Sequence, residues 1–351
     1  MTARFYLNLP VSTHSKRRST QKSRANPLNT YSINSISKRG KILLHNIINQ
    51  AILLRIKIRD NDNNCNKRAM LKTANGYRYR YVPFITLSLT EPETCIWITL
   101  SDCNFKCKGC FSIARDAVGE PMTVDELINW VEESNRAYNG DRLLEEAVIT
   151  GGEPTLDRSF LADLVLKLKM HIGVKHITLS TNGYLLDREY VMELKDSGLD
   201  AVKLDIKAYN ESIHRWYTGM SNRPVLEAAR YLSESKLDFR VETVLMPGIV
   251  DVEEIERIAF FLARIDPGLK YKVVSFAPGE AREKVTRRPG DNEIQLAVES
   301  ASKYLRNVAD GKACVQQFAP SKREENTKKW VRVYPDMKTE TIIARPCRWW
   351  V

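Results

Sequence analysis

Residues 94–307 predict an α/β fold of parallel strands joined by crossover helices, either a doubly wound sheet or an open partial barrel. Two observations predict it: six short β-branched or apolar runs alternate with six amphipathic stretches, and the unusual residues gather where the strands end. Parallel neighbours need a long connection, and the right-handed crossover rule fixes its hand. In order, "CIWITL" precedes a helix at 123–138, "EAVIT" one at 157–171 and "KHITLS" one at 187–196. "AVKLDIK" then precedes a helix at 224–235, "FRVETVLM" one at 252–264 and "YKVVSF" one at 292–307.

Four of the strand ends carry distinctive residues. "SDCNFKCKGC" follows the first strand, "TGGEP" the second and "STNG" the third, while Asp205 and Lys207 close the fourth. Ligands of α/β barrels and open sheets bind at the carboxyl ends of the strands, so these stretches are expected to converge on one mouth.

Composition sets the surroundings. A chain of 351 residues with 43% hydrophobic and 28% charged residues can bury one large core or two modest ones, as a soluble globular protein does. The longest apolar candidate, "ILLHNIINQAILL", is interrupted by His45, Asn46, Asn49 and Gln50, so no membrane span is expected. Of seven cysteines, Cys65, Cys95, Cys314 and Cys347 are scattered, a poor disulfide framework that points to a reducing, cytoplasmic setting.

The net charge of +11 is local. Residues 1–69 hold 14 Lys and Arg against 2 Asp and Glu, leaving 40 basic and 41 acidic residues in an almost neutral remainder. The Ser-, Asn-, Lys- and Arg-rich extension lacks the apolar surface to offset its ordering entropy and is expected to be disordered. Three readings compete for it, a nucleic-acid-binding arm, an organelle-targeting sequence and upstream translation ahead of a true start at Met70, of which the last is favoured. The expected organisation is a basic extension at 1–69, lead-in strands at 70–93, the strand–helix body at 94–307 and a C-terminal segment at 308–351. That last segment is read as a strand hairpin around Pro335 and Asp336.

The chemistry lies in Cys103, Cys107 and Cys110, spaced C-x3-C-x2-C. A [4Fe–4S] cubane usually takes four thiolates, so three from one tight loop leave an iron able to bind an exogenous molecule. A structural zinc would take four ligands, usually as two spaced pairs, which the chain lacks near this loop.

This cysteine motif after a first strand, with "GGEP" after the second, resembles the radical S-adenosylmethionine (SAM) superfamily. The run "LDIKAYNESIHRWYTGMSNRPVLEAARYL" and the later "VLMPGIVDVEEI" are similar to activating enzymes of the pyruvate formate-lyase type, with the resemblance covering roughly 94–307. It implies a partial (β/α)6 TIM-like barrel in which the three cysteines ligate three irons and SAM chelates the fourth. It further implies that Gly151 and Gly152 bring backbone close to the methionine amino group, that Glu153 adds an acceptor there, and that Asp205, Ile206 and Lys207 lie along SAM.

The chain departs from that pattern at three places. Gly109 stands where the family commonly has an aromatic residue just before the third cysteine, with Phe111 instead following that cysteine; the order "GCF" is similar to "GCY" in the activase of anaerobic ribonucleotide reductase. Ser180 replaces an Asp that helps hold a monovalent cation beside SAM. The family's SAM-contacting His after the sixth strand has no counterpart in "VVSFAPGEAREK". His214 is read as a packing residue at a helix start, and Trp349 and Trp350 as buried aromatics.

The resemblance implies reductive cleavage of SAM to methionine and a 5′-deoxyadenosyl radical, used to install a glycyl radical on a partner enzyme. The implied partners are that glycyl radical enzyme and a low-potential donor such as flavodoxin or ferredoxin, with the enzyme itself monomeric. A radical SAM enzyme acting on a small metabolite or another peptide is the second reading. A nucleic-acid-binding protein led by the basic arm is the third, and it leaves the cysteine loop unexplained.

Overall fold

The computed structural model describes residues 78–88, 94–279, 281–311 and 328–344. The basic extension, Met70, Cys65, Cys314, Cys347, Trp349 and Trp350 lie outside the described residues.

Two short strands, β1 (Arg80–Val82) and β2 (Ile85–Ser88), lead into β3 (Cys95–Leu100). After the cysteine loop come β4 (Glu120–Met122), which pairs with β1, and helix α1 (Val124–Asn139). The repeat then continues through β5 (Glu146–Gly151), α2 (Arg158–Lys167), β6 (His176–Thr181), α3 (Arg188–Asp196) and β7 (Ala201–Asp205). It runs on through α4 (Glu211–Thr218), α5 (Arg223–Ser235), β8 (Asp238–Leu245), α6 (Val252–Ala263), β9 (Lys270–Ser275) and α7 (Asp291–Ser302). Strand β10 (Asn307–Gly311) and a hairpin of β11 (Lys328–Val333) and β12 (Thr339–Ala344) complete it.

Local chemistry starts these helices where the sequence places them. Thr123 and Glu126 form a reciprocal capping box on α1, while Asp157, Asp187 and Asn210 cap α2, α3 and α4 with side-chain oxygens. Helix α4 is foreshadowed in the sequence only by the helix start read at His214 and is given no bounds there, because its eight residues are too few for a periodic signal. The helix expected at 292–307 ends at Ser302, and residues from Asn307 form a seventh parallel strand on β9. Its polar letters, "NVADG", carry no strand signature, as befits a sheet edge.

The main sheet runs β10-β9-β8-β7-β6-β5-β3-β2-β11-β12, parallel from β10 to β3 and antiparallel beyond. Strands β10 and β12 are its two edges, which makes it the open, partial (β/α)6 arrangement with one added parallel strand. The C-terminal hairpin joins β2 and extends the sheet. Its Trp330 meets Trp97 edge to face at 6.2 Å.

The two faces differ. Ile96, Ile98, Ala147, Ile149, Ile177, Leu179, Val202, Leu204, Val241 and Val273 form one buried row, continuous with Leu127, Leu161, Val191, Leu232, Ile255, Leu262 and Ile294 of the helices. Each fully buried branched side chain contributes roughly 1.5–3 kcal/mol, so this face holds the body together. The opposite row starts at the exposed Trp97 and continues through Thr99, Thr150, Thr178, Ser180, Lys203, Asp205, Arg240, Glu242 and Lys272, a polar surface at half to full burial. Among the described residues no helix is long and apolar enough to cross a membrane.

Candidate functional site

The cysteine loop opens on a conformational constraint. Asp102 adopts φ 77°, a left-handed geometry that short polar side chains tolerate best, and its carboxylate accepts the Cys103 N–H at 2.8 Å. The loop is then held from two further sides. Lys106 and Lys108 donate their N–H groups to the carbonyls of Thr218 and Tyr217 at the end of α4, at 2.8 and 3.1 Å. From the segment after β9, Arg282 and Glu283 donate to the carbonyls of Cys110 and Lys108. Phe105 is buried beneath, edge-on to Tyr184 and His214 at 5.6 and 5.5 Å. His214 is itself fully buried, as its reading as a packing residue expects, and burial lowers its pKa.

All four strand-end stretches meet here. Glu153 of "GGEP" is fully buried; Oε1 accepts from the Thr155 N–H and hydroxyl at 3.0 and 2.6 Å and from the Thr181 hydroxyl at 2.7 Å, while Oε2 accepts from the Asn182 N–H at 2.7 Å. The Glu153 N–H donates to the Asp102 carbonyl at 2.8 Å. Asn182 in turn donates its side-chain amide to Asn104 Oδ1 at 2.8 Å and approaches Cys103 Sγ at 3.9 Å. Glu153 is therefore a clamp between the two turns. Arg80 completes the clamp, donating to the carbonyls of Ser101, Glu153 and Pro154.

The glycines also owe their identity to the chain itself. A Cβ on Gly151, at φ +134°, would stand 2.0 Å from the Leu100 carbonyl oxygen, and one on Gly152 would stand 2.3 Å from the carbonyls of Asp102 and Ala114. At Gly109 the neighbouring ring is not Phe111, which is 70% exposed, but Phe276, 2.8 Å from the position of an added Cβ. Sequence reasoning missed Phe276 because its distance from the loop, 167 positions along the chain, hides the contact. Asn182 and Tyr217 stand inside the recognisable motifs, where the sequence alone assigns them no role.

Asp205 and Lys207 pair at 3.3 Å. Burial opposes the charge on Lys207, but Asp205, Cys107 and Tyr217 outweigh it and hold its ammonium above the ordinary lysine range. Ile206 is fully buried, with its N–H on the Glu242 carbonyl at 3.1 Å and its carbonyl on the Thr243 hydroxyl at 2.9 Å. Its side chain serves the core, and strand alternation turns Asp205 and Lys207 the other way. Ser180 lies on the polar row opposite Lys203.

The donor set fits an iron–sulfur cluster. Burial, then Glu153, pushes the Cys103 thiol up to about 12, and burial pushes Cys107 up to about 11, so the thiolate forms need a cationic centre to balance them. The Phe105 N–H donates to Cys103 Sγ at 3.4 Å, the kind of outer hydrogen bond that steadies a ligating sulfur. Among the described residues no three His, Cys, Asp or Glu side chains close around a point as one metal ion requires. Thiolates on separate irons of a cubane stand farther apart than that.

The radical SAM superfamily profile matches residues 97–262. A Methanocaldococcus jannaschii protein provisionally named as a glycyl-radical enzyme activating enzyme is 36% identical over 232 residues, 65% of this chain and 82% of that protein. The GTP 3′,8-cyclase of Staphylococcus aureus is 29% identical over 183 residues, 49% of this chain and 52% of that enzyme. A solved domain of a pyruvate-formate lyase-activating enzyme from Bacteroides vulgatus aligns with 47% of this chain and 98% of its own length, at 20% identity and TM-score 0.41. With its cysteine loop at the mouth of a partial (β/α)6 sheet, and a relative matched at this identity over four fifths of its length, the chain belongs to the radical SAM superfamily, whose enzymes work with a [4Fe–4S] cluster and SAM.

Proposed function

We propose that this radical SAM enzyme installs a glycyl radical on a partner protein. The observation that carries the reading is the rim of the site. Phe111 and Ile113, directly after Cys110, are 70% and 55% exposed, and Trp216 stands half exposed with the Lys108 ammonium 5.5 Å from its ring centroid. Apolar side chains at an open entrance suit a protein surface better than a small metabolite. The name of the Methanocaldococcus jannaschii relative supports the same reading.

Cys103, Cys107 and Cys110 would hold the cluster, and the backbone of Gly151 and Gly152 would face the methionine end of SAM. Once bound, these groups would supply one-electron reductive cleavage of the sulfonium C–S bond, the electron from the cluster leaving methionine as a neutral thioether and the adenosyl carbon as a radical. The chain contributes position and exclusion of water. Glu153 locks the turns after β5 and β6, Asp205 holds the Lys207 ammonium at the mouth, and Phe276 closes the space beside Gly109. A low-potential donor of the flavodoxin or ferredoxin type supplies the electron, and the enzyme acts as a monomer.

The test is anaerobic incubation of reduced, cluster-loaded protein with SAM, with and without a glycyl radical enzyme. The expected result is 5′-deoxyadenosine in stoichiometric amounts only with the partner, and a stable glycyl signal on it by electron paramagnetic resonance. Multiple turnovers on a metabolite with no protein partner would overturn the proposal.

A further inference from the structure

Two side-chain amides beside Cys103 leave one donor unused. Asn182 is 6% exposed, and its neighbours settle which end of its amide is which. The Tyr184 N–H donates to Asn182 Oδ1 at 3.0 Å, so Asn182 Nδ2 is the end that donates to Asn104 Oδ1 at 2.8 Å. That bond fixes Asn104 in turn. Its Oδ1 faces Asn182, and its Nδ2 is left buried with no hydrogen-bond partner among the described residues.

Folded chains leave few buried donors unpaired, because each lacks the hydrogen bond that water would have given it. The surroundings of this one indicate its acceptor. Cys103 Sγ lies 3.8 Å from Asn104 Oδ1 and 3.9 Å from Asn182 Nδ2, so both amides border the ligand sulfur. As an iron ligand that sulfur carries no proton and acts only as an acceptor. The pair is also held from behind. The Asn182 N–H is anchored on Glu153 Oε2 at 2.7 Å, and Asn104 sits in the chain between Cys103 and the buried Phe105.

We propose that Asn104 Nδ2 donates a hydrogen bond to a sulfur of the cluster, with Asn182 holding it in that direction, and that this bond raises the reduction potential of the cluster. A cluster that takes an electron from the low-potential donor gains one negative charge. A donor to its sulfur stabilises that more negative form and so favours reduction. Glu153, the first charged neighbour of Cys103, works the other way by placing a buried carboxylate near the same sulfur. The amide donor offsets it. Because the inference concerns the cluster and not the substrate, it holds whether the radical goes to a protein or to a metabolite.

Reconstituted protein is poised anaerobically at a series of potentials with dithionite and redox mediators, without SAM, and the reduced cluster is counted by electron paramagnetic resonance. Asn104→Leu keeps most of the side-chain volume and removes the donor. It should lower the midpoint by about 59 mV, a tenfold loss in the one-electron reduction equilibrium, while iron content matches the parent protein. With heavy nitrogen placed in the asparagine side-chain amides, the reduced parent cluster should also show a hyperfine coupling to that nitrogen. Should Asn104→Leu fail to load iron, Asn104→Ala and the coupling in the parent protein decide the question. An unchanged midpoint in an iron-replete variant, or no side-chain coupling in the parent, overturns the proposal. An unchanged midpoint with weakened SAM binding overturns it as well, by giving the donor to SAM.

Discussion

The Glu153 carboxylate accepts the Asn182 backbone N–H at 2.7 Å, joining the turn after β5 to the turn after β6. Because the same carboxylate takes three more hydrogen bonds in full burial, Glu153→Gln would set an amide N–H against protein donors. The expected loss is about 2–4 kcal/mol of stability, read as a lower urea midpoint, with iron content falling alongside because Asn182 also touches the cysteine loop.

Cys103, Cys107 and Cys110 are expected to be the whole protein ligand set. Reconstituted protein should bind about four irons per chain with charge-transfer absorption, and Cys107→Ala should abolish both. Full iron occupancy in that variant would remove Cys107 from the set.

Gly152→Ala should damage the cysteine loop before it affects SAM. Its new methyl group meets two backbone carbonyls at 2.3 Å, and backbone cannot swing aside as a side chain can. A destabilisation of about 2–4 kcal/mol is expected, with iron and SAM binding lost together in iron analysis and calorimetry. Normal iron content with selective loss of SAM would locate the glycine's role at the ligand instead.

Gly109 and Phe276 should behave as a coupled pair. Gly109→Phe alone overfills the space that Phe276 holds, and Phe276→Ala alone empties it. The double variant restores one ring to the site, so SAM affinity should recover toward that of the parent, with a coupling energy of about 0.5–3 kcal/mol in the double-mutant cycle. Strictly additive losses would show that the two positions do not share that space.

Lys272 sets a pH dependence of stability. Its ordinary pKa of 10.5 falls to about 8 in the fold, so below about pH 8 folded and unfolded chains both carry the proton. Between about pH 8 and 10.5 the unfolded chain holds it while the folded chain releases it, and stability from this group rises with pH. Thermal unfolding of the parent protein relative to Lys272→Met should show this rise, and the variant should be the more stable at pH 7. A parent protein whose relative stability falls across that window would mean that the ammonium is well compensated.

How much of the site could be read in advance depended on sequence distance. The cysteine loop, "GGEP", "STNG" and the Asp205–Lys207 pair each announce themselves within a few residues, and the carboxyl-end rule for parallel strands was enough to bring them together. The contact of Gly109 with Phe276 links two unremarkable letters from different units, and nothing near either one along the chain announces it. The tight glycines were visible as glycines, yet only coordinates show that they face the chain's own carbonyls.

The sequence by itself determined the parallel strand–helix body, the three-cysteine loop and the polar alternation in "AVKLDIK" and "FRVETVLM", because each rests on periodicity or on neighbours along the chain. Tertiary structure alone decided that Glu153 is spent as a clamp, that the C-terminal hairpin extends the sheet through β2, and that three cations share Glu242. Each of these depends on strand register. A shift of one residue would turn the same side chains to the opposite face, and nothing local in the sequence fixes it.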